Sequence, residues 1–515
     1  MFNKIDPASW KQDLPAFKEK TAAFYRGEVD KNAYKGFSGR YGSYAQKGGK
    51  ASMLRLRMTA GRMTKAKMNY IAEAIKTYGV TSAKFTTCET IQLHDLNQEQ
   101  VCAIMEGALD VGIVTMGGGG DFPRNVMCSP LSGVEVGEYF NVMPYAETAA
   151  EYLMNFINAE PMPRKLKVGF SNSPKNIPHA TFRDLGFVAR EDGKFDVYSA
   201  GGLGNNPRFG VKVAEAVEPE NILYYVKAMW LTFRAYGNYE NRAKARTRYM
   251  QDICGGPEAY KAAFLGKLDE VMAEGEDLTI HPEIAPVTKT GNGSEAEGWR
   301  IIPQKQEGLY AVAWHPIGGR PSMETFCALN DAVQAIDGAE VRIAPDETVY
   351  IINLTGDEAG RIWTLTDDGA QNIFETSVSC VGAAVCQVGL RDSQALLQAC
   401  VEAVREADLP ADALPKMYIS GCPSSCGTHQ IGRIGFRGAS KKVEGTPVDA
   451  FNLYVNGCDR QGHEMMATEV GAIATDKIPA FLVSLGKIVA DSGLPFDEWI
   501  AVNPDGVAQA AAAYI

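Results

Sequence analysis

Two stretches of this chain, 258 positions apart, repeat one another without a gap. Ala60-Gly61-Arg62 aligns with Gly318-Gly319-Arg320 and Glu89-Thr90-Ile91 with Glu347-Thr348-Val349, while Leu93 falls on Ile351 and Leu96 on Leu354. One three-residue match arises easily by chance; two at one offset, flanking helical patterns of equal length, point to an internal duplication. In the first copy, Met53-Leu-Arg-Leu-Arg-Met58 alternates apolar and basic residues and reads as a strand with Arg55 and Arg57 on one face. Met68, Ile71, Ala72 and Ile75, behind Thr64 as N-cap and ahead of Gly79, predict a helix from Thr64 to Lys76. Ala83 to Leu93 predicts one further strand, so each half carries a β-α-β unit.

Two cysteine pairs follow the second copy. Cys380-Val-Gly-Ala-Ala-Val-Cys386 is spaced C-x5-C, and Gly421-Cys422-Pro-Ser-Ser-Cys426-Gly427 is spaced C-x3-C. Four thiolates are what a cubane iron-sulfur cluster needs, and the small neighbours let backbone close around a bulky group. Zinc is more often held by C-x2-C pairs, and four unligated core cysteines are the remaining alternative. Eleven cysteines, an odd number, do not suit a disulfide framework, and Cys88, Cys102, Cys128, Cys254, Cys327, Cys400 and Cys458 read mostly as core.

These pairs, with Ile434-Gly435-Phe436 after the second, resemble the siroheme-dependent sulfite and nitrite reductases, over about Tyr41 to Val489. The resemblance implies an α+β fold of two pseudo-repeated halves, each a ferredoxin-like half-domain plus a siroheme and iron-sulfur domain, with the cofactors at their interface. It implies a [4Fe-4S] cluster on Cys380, Cys386, Cys422 and Cys426, with Cys426 also bridging to the siroheme iron. The activity it implies is six-electron reduction of sulfite to sulfide with electrons from ferredoxin, reduction of nitrite to ammonia being the alternative. A non-catalytic metal-binding or iron-sulfur protein is the competing class. Ser424 stands where the family usually has Asn.

The family's substrate-binding cations fall on Arg55, on Arg124 in Arg124-Asn125-Val126, and on Lys165 and Lys167 in Pro163-Arg-Lys-Leu-Lys167. Period two puts both lysines on one face of a strand. Siroheme carboxylates are expected to meet Lys84, Gln92 and the cations Arg242, Lys244, Arg246 and Arg248, a helical run that reads equally well as a solvated face. At Thr86-Thr87-Cys88-Glu89 the chain departs from the family's Thr-x-Arg-Gln: it supplies no cation there, and Glu89 would repel a carboxylate unless protonated or turned away. His94, His179, His315 and His429 match no metal-ligand spacing.

A formal charge of −11 argues against a nucleic-acid protein. Lys31 to Lys67 nevertheless holds ten Lys or Arg and no acid, which is either a solvated face or a patch for anions or an acidic carrier. No long apolar run and no signal-peptide core occur, so a cytoplasmic protein off the membrane is expected. The Gly-rich stretches 117–120 and 199–207 do not fit G-x-G-x-x-G, so no dinucleotide site is read. The expected organisation is an arm at 1–50, a first ferredoxin-like repeat at 51–115, its siroheme-domain half at 116–278, a linker at 279–306, a second repeat at 307–370, and a second half with the cysteines at 371–515.

Overall fold

The computed structural model describes residues 2–515, and its four sheets come in two matched pairs. The first is antiparallel, in the order Ser43–Ala45, Ser52–Arg57, Thr90–Leu96, Ser82–Phe85. Its counterpart runs Ile301–Pro303, Tyr310–Trp314, Val349–Leu354, Glu340–Ile343, so the end of the expected linker is an edge strand. Arg62–Met63, from the first half, adds a fifth strand beside Glu340–Ile343. Helix Lys65–Tyr78 is capped by the Thr64 side chain on the Lys67 amide and ends at Gly79 in the left-handed region. It packs on the equivalent helix Met323–Ala335, and one core, from Leu54 and Ile71 to Phe326 and Ile362, joins both units.

Ala83 to Leu93 is not one strand. The chain reverses at Thr86–Glu89, with Glu89 at φ 54°, and Thr86 and Thr90 pair across the turn. The second copy does the same at 344–348, with Glu347 at φ 72°. No Gly, Pro or Asn announces the first reversal, whereas the second carries Pro345. The buried carboxylates make the geometry possible: Glu89 accepts from the Cys128 amide at 3.0 Å and Glu347 from the Ser379 amide at 3.4 Å. Each hairpin is thereby pinned to the first strand of the sheet that follows it. The repeated unit is β-α-β-β, with a hairpin tip projecting from each half.

The other two sheets share one topology. Met127–Cys128, Val168–Ser171 and Leu185–Ala189 are parallel, followed by antiparallel Phe195–Ser199 and Val211–Val217. Val378–Ser379, Met417–Ser420 and Ile434–Val443 are parallel, followed by antiparallel Thr446–Val455 and Thr468–Ala474. Helices Met143–Met154 and Ser393–Glu406 make the first crossover of each, as parallel pairing requires. The loops 172–184 and 421–433 correspond closely: Asn176 and Ser425 have φ of 53° and 54°, His179 and Thr428 of 58° and 55°. Ser173 and Ile177 occupy the places of Cys422 and Cys426, so only the second loop presents thiols.

Gly186 and Gly435 hold these loops. A Cβ on either would lie 1.8 Å from the Ala180 oxygen or 2.0 Å from the His429 oxygen, both backbone. Gly186→Ala and Gly435→Ala are each expected to cost about 1–3 kcal/mol through forced backbone displacement, read as lowered urea midpoints at unchanged slope. An unshifted midpoint would show that the loops yield freely.

Candidate active site

The cysteines collect because two parallel strands end side by side. Cys380 follows Val378–Ser379 and Cys422 follows the neighbouring Met417–Ser420, with Ser379 opposite Ile419. The Cys380 sulfur accepts from the Gly421 amide at 3.2 Å and lies 3.1 Å from Ser393 Oγ. The C-x5-C loop is clamped by the N-terminal region: Lys47 donates its amide to Val385 O at 3.0 Å and its ammonium to Ala383 O at 3.1 Å, and Gln387 donates to Ala45 O. Cys380, Cys386, Cys422 and Cys426 all line one cavity of about 370 Å³. All four are free; Cys426 is exposed to that space, and the other three are half-buried. Among the described residues no three Cys, His, Asp or Glu converge on a single ion. The four thiols line a shared cavity, the donor set of a cubane cluster.

The same cavity brings together Arg55, Arg124, Lys165, Lys167, Lys84 and Gln92. Arg55 and Arg124 both donate to the Gly118 carbonyl, and Arg124 also reaches Gly120 O at 2.7 Å. With its amide oxygen turned to Arg55, Gln92 accepts from Arg55 Nη2 at 2.6 Å and donates to His94 Nε2 at 3.2 Å. Two guanidiniums thus share one acceptor with no carboxylate between them, and Arg124 Nε is buried without a partner. Burial, then the charge of Arg55, pushes Arg124 down to about 9. Lys165 and Lys167 flank buried Leu166, which bridges to Pro123; the regular strand begins only at Val168, but both lysines do share a face. Burial, then Lys167, Arg246 and Arg124, holds the Lys165 ammonium well below the ordinary lysine range.

Lys84 is not a free cation. It is buried, 2.8 Å from Glu347, the only carboxylate on the cavity wall. Arg242, Lys244 and Arg246 are not brought to the cavity. Their run is two separate 3₁₀ turns, Arg242–Lys244 and Thr247–Tyr249. Arg242 is exposed and bound to Asp121 at 2.7 Å, and Lys244 is exposed. Arg246 pairs with Asp184 at 3.1 Å, and Asp184 accepts from the Lys167 amide at 2.7 Å. Arg246 therefore acts on the site from outside the cavity wall, through Asp184 on the backbone of Lys167 and through its charge on Lys165.

Cys88, which stands where the family has an arginine, lines the cavity at the hairpin tip. Against burial, which raises it, the charges of Lys167, Arg183 and Arg55 pull its thiol down to about 6. The neighbouring Glu89 has turned away, into the interior, where burial keeps its carboxyl well above the usual range. Thr87 donates to the Cys426 carbonyl at 3.0 Å, tying the tip to the cysteine loop. Sequence reasoning missed these contacts because nothing marked Thr86–Glu89 as a turn. It also missed the clamp by Lys47 and Gln387, which joins segments more than 300 residues apart.

A duplicated α+β chain with four thiols beside a cavity rich in unpaired cations defines an anion-handling iron-sulfur protein. Two family models agree: the nitrite/sulfite reductase ferredoxin-like half domain matches residues 44–111, and the nitrite and sulphite reductase 4Fe-4S domain matches residues 119–264. The second match falls on the first copy of the mixed sheet, and the thiols sit on the other. The sulfite reductase [ferredoxin] 1 of Mycolicibacterium paratuberculosis is 26% identical over 79% of this chain and 73% of its own length. The chloroplastic ferredoxin–nitrite reductase of Zea mays is 27% identical over the same shares, and the Synechococcus elongatus ferredoxin–nitrite reductase 24% over 84% and 85%. The Mycobacterium tuberculosis NirA structure shares the fold, with a TM-score of 0.76 and 21% identity over 93% of this chain and 90% of that one. Over both matched segments the chain is similar to the nitrite and sulphite reductase family. No single helix among the described residues is long and apolar enough to cross a membrane.

Proposed function

We propose that this protein is a ferredoxin-dependent reductase of sulfite, taking it to sulfide by six electrons. The supporting observation is the convergence of Arg55, Arg124, Lys165 and Lys167 on the space that Cys426 faces. The donor set fits the family's groups: four thiols for a [4Fe-4S] cluster, and for siroheme the exposed Cys426 thiol with cavity-wall donors Lys84 and Gln92. Lys84 would meet a carboxylate as half of a neutral pair, and Arg242, Lys244 and Arg246 are not on the wall. When bound, the two groups supply one-electron delivery and a redox iron that takes the anion.

The chain's own residues bind, orient and protonate. Arg55 and Arg124 present N–H donors fixed by Gly118, Gly120 and Gln92, so little reorganisation is needed as negative charge builds on the substrate's oxygens. Lys165, destabilised as an ammonium by burial and like charges, is the donor most ready to pass a proton to a departing oxygen. Lys167 adds a second ammonium, which favours a dianion over a monoanion.

Lys167→Asn is expected to lower kcat/KM for sulfite about tenfold or more, the loss of one charge-assisted hydrogen bond, while nitrite suffers less. The measurement is steady-state turnover of both anions with a chemical reductant. Nitrite reduction to ammonia is the second reading, favoured by Cys88, whose negative charge beside Lys167 offsets one cation. Wild type turning over nitrite far better than sulfite, with a ratio unchanged by Lys167→Asn, would replace the first reading by the second.

A further inference from the structure

A second cavity, of about 380 Å³, lies behind the first, and Arg57 and Asn125 line both. Its other walls come from the N-terminal region (Lys4, Trp10), the start of the helix Lys65–Tyr78 (Lys67) and the helix Met143–Met154 (Ala150, Glu151). Three groups there are donors or cations without an acceptor or a countercharge: the buried Trp10 indole, the half-buried Lys67 and the buried Arg57. Trp10 is 2% exposed, and its indole N–H has no acceptor. The Lys67 ammonium has neither a hydrogen bond nor an ion pair among the described residues; the nearby Glu147 carboxylate is held by Arg62 at 3.2 Å. Arg57 is 5% exposed and donates to the carbonyls of Met116, Pro123 and Arg124, but no carboxylate neutralises it. The one acid on the wall, Glu151, is paired with Lys4 at 2.6 Å.

Unpaired buried donors and charges are costly, and proteins normally satisfy them. Here one unpartnered buried donor and two cations without a countercharge, from separate segments, line a space large enough for a small polyatomic ion. We infer that this cavity is a second binding site for a small inorganic oxyanion, held by Lys67 and the Trp10 indole N–H and neutralising Arg57. It is distinct from the catalytic cavity, whose lysines and cysteines it does not contain. Arg57 braces the backbone of Arg124, so the occupant sits one residue behind the catalytic cations.

Selenate is the probe. In crystals of the holoenzyme soaked with selenate, an anomalous peak is expected within hydrogen-bond distance of Lys67 Nζ and Trp10 Nε1. Calorimetric titration with selenate should resolve a site that Lys67→Met weakens about tenfold or more, as removal of a charged donor does. Displacement by sulfite would mark the substrate as occupant and displacement by phosphate alone a bystander anion, and either supports the site. No density in this cavity, whatever the catalytic cavity holds, overturns the inference, as does an isotherm unchanged in Lys67→Met.

Discussion

Replacing Cys426 by serine is expected to lower the reductase rate by at least about 10²-fold, the upper end of what losing even an outer partner of a metal ligand costs. Cys426 alone among the four thiols opens fully onto the cation-lined space, and its backbone is fixed from the first half by the Thr87 hydroxyl. A serine oxygen is hard and poorly polarisable, so it serves neither as a cluster ligand nor as a bridge to a second metal. Three thiols would remain, so the sharp expectation is a changed visible spectrum with much of the iron retained. Cys422→Ser, at a thiol with no bridging role in this reading, should lose iron without that selectivity. Undiminished turnover in Cys426→Ser would end the idea of a shared ligand.

Glu347→Gln should destabilise the holoenzyme by about 3–5 kcal/mol, the cost of leaving one partner of a buried ion pair charged and alone. Lys84 and Glu347 have side chains 3% and 1% exposed, and the ammonium has one other acceptor, the Gly318 carbonyl. Glutamine keeps the shape and an acceptor oxygen but removes the countercharge, so the effect reads as electrostatic rather than as a cavity. The double variant Lys84→Met, Glu347→Leu is expected to recover most of the loss, since well-packed apolar replacements of buried pairs are often neutral. Urea unfolding of the three proteins separates these outcomes. A cost below about 1 kcal/mol in the single variant would place the pair in an environment as wet as the surface.

What could be read from the chain alone was local. Thiol spacing, the lysines of Lys165-Leu166-Lys167 and the Thr64 cap each lie within one short segment; thiols and lysines line one cavity and Thr64 caps its helix, though the lysines precede the regular strand at Val168. The duplication, too, needed only one constant offset. The hairpin tip that carries Cys88 was not legible, because its reversal at Glu89 is stabilised by a carboxylate reaching the Cys128 amide, 39 residues on. Arg242 and Arg246 looked available because their partners, Asp121 and Asp184, are separated from them by 121 and 62 residues. Charge pairing across a fold leaves no periodic trace, so a run of cations in sequence overstates the free cations in space.

The strand Arg62–Met63 belongs in sequence to one half and in space to the other, hydrogen-bonded beside Val341 and Arg342. Biosynthesis feels this directly. A ribosome adding about 5–20 residues per second delivers Val341 tens of seconds after Met63, and the helix Met323–Ala335 that covers Met68 and Ile71 emerges only slightly earlier. For that interval the first ferredoxin-like unit lacks the strand and the helix of the second that complete its packing. The first unit is therefore expected to complete its packing only after the second has been made, and the two halves to fold as one.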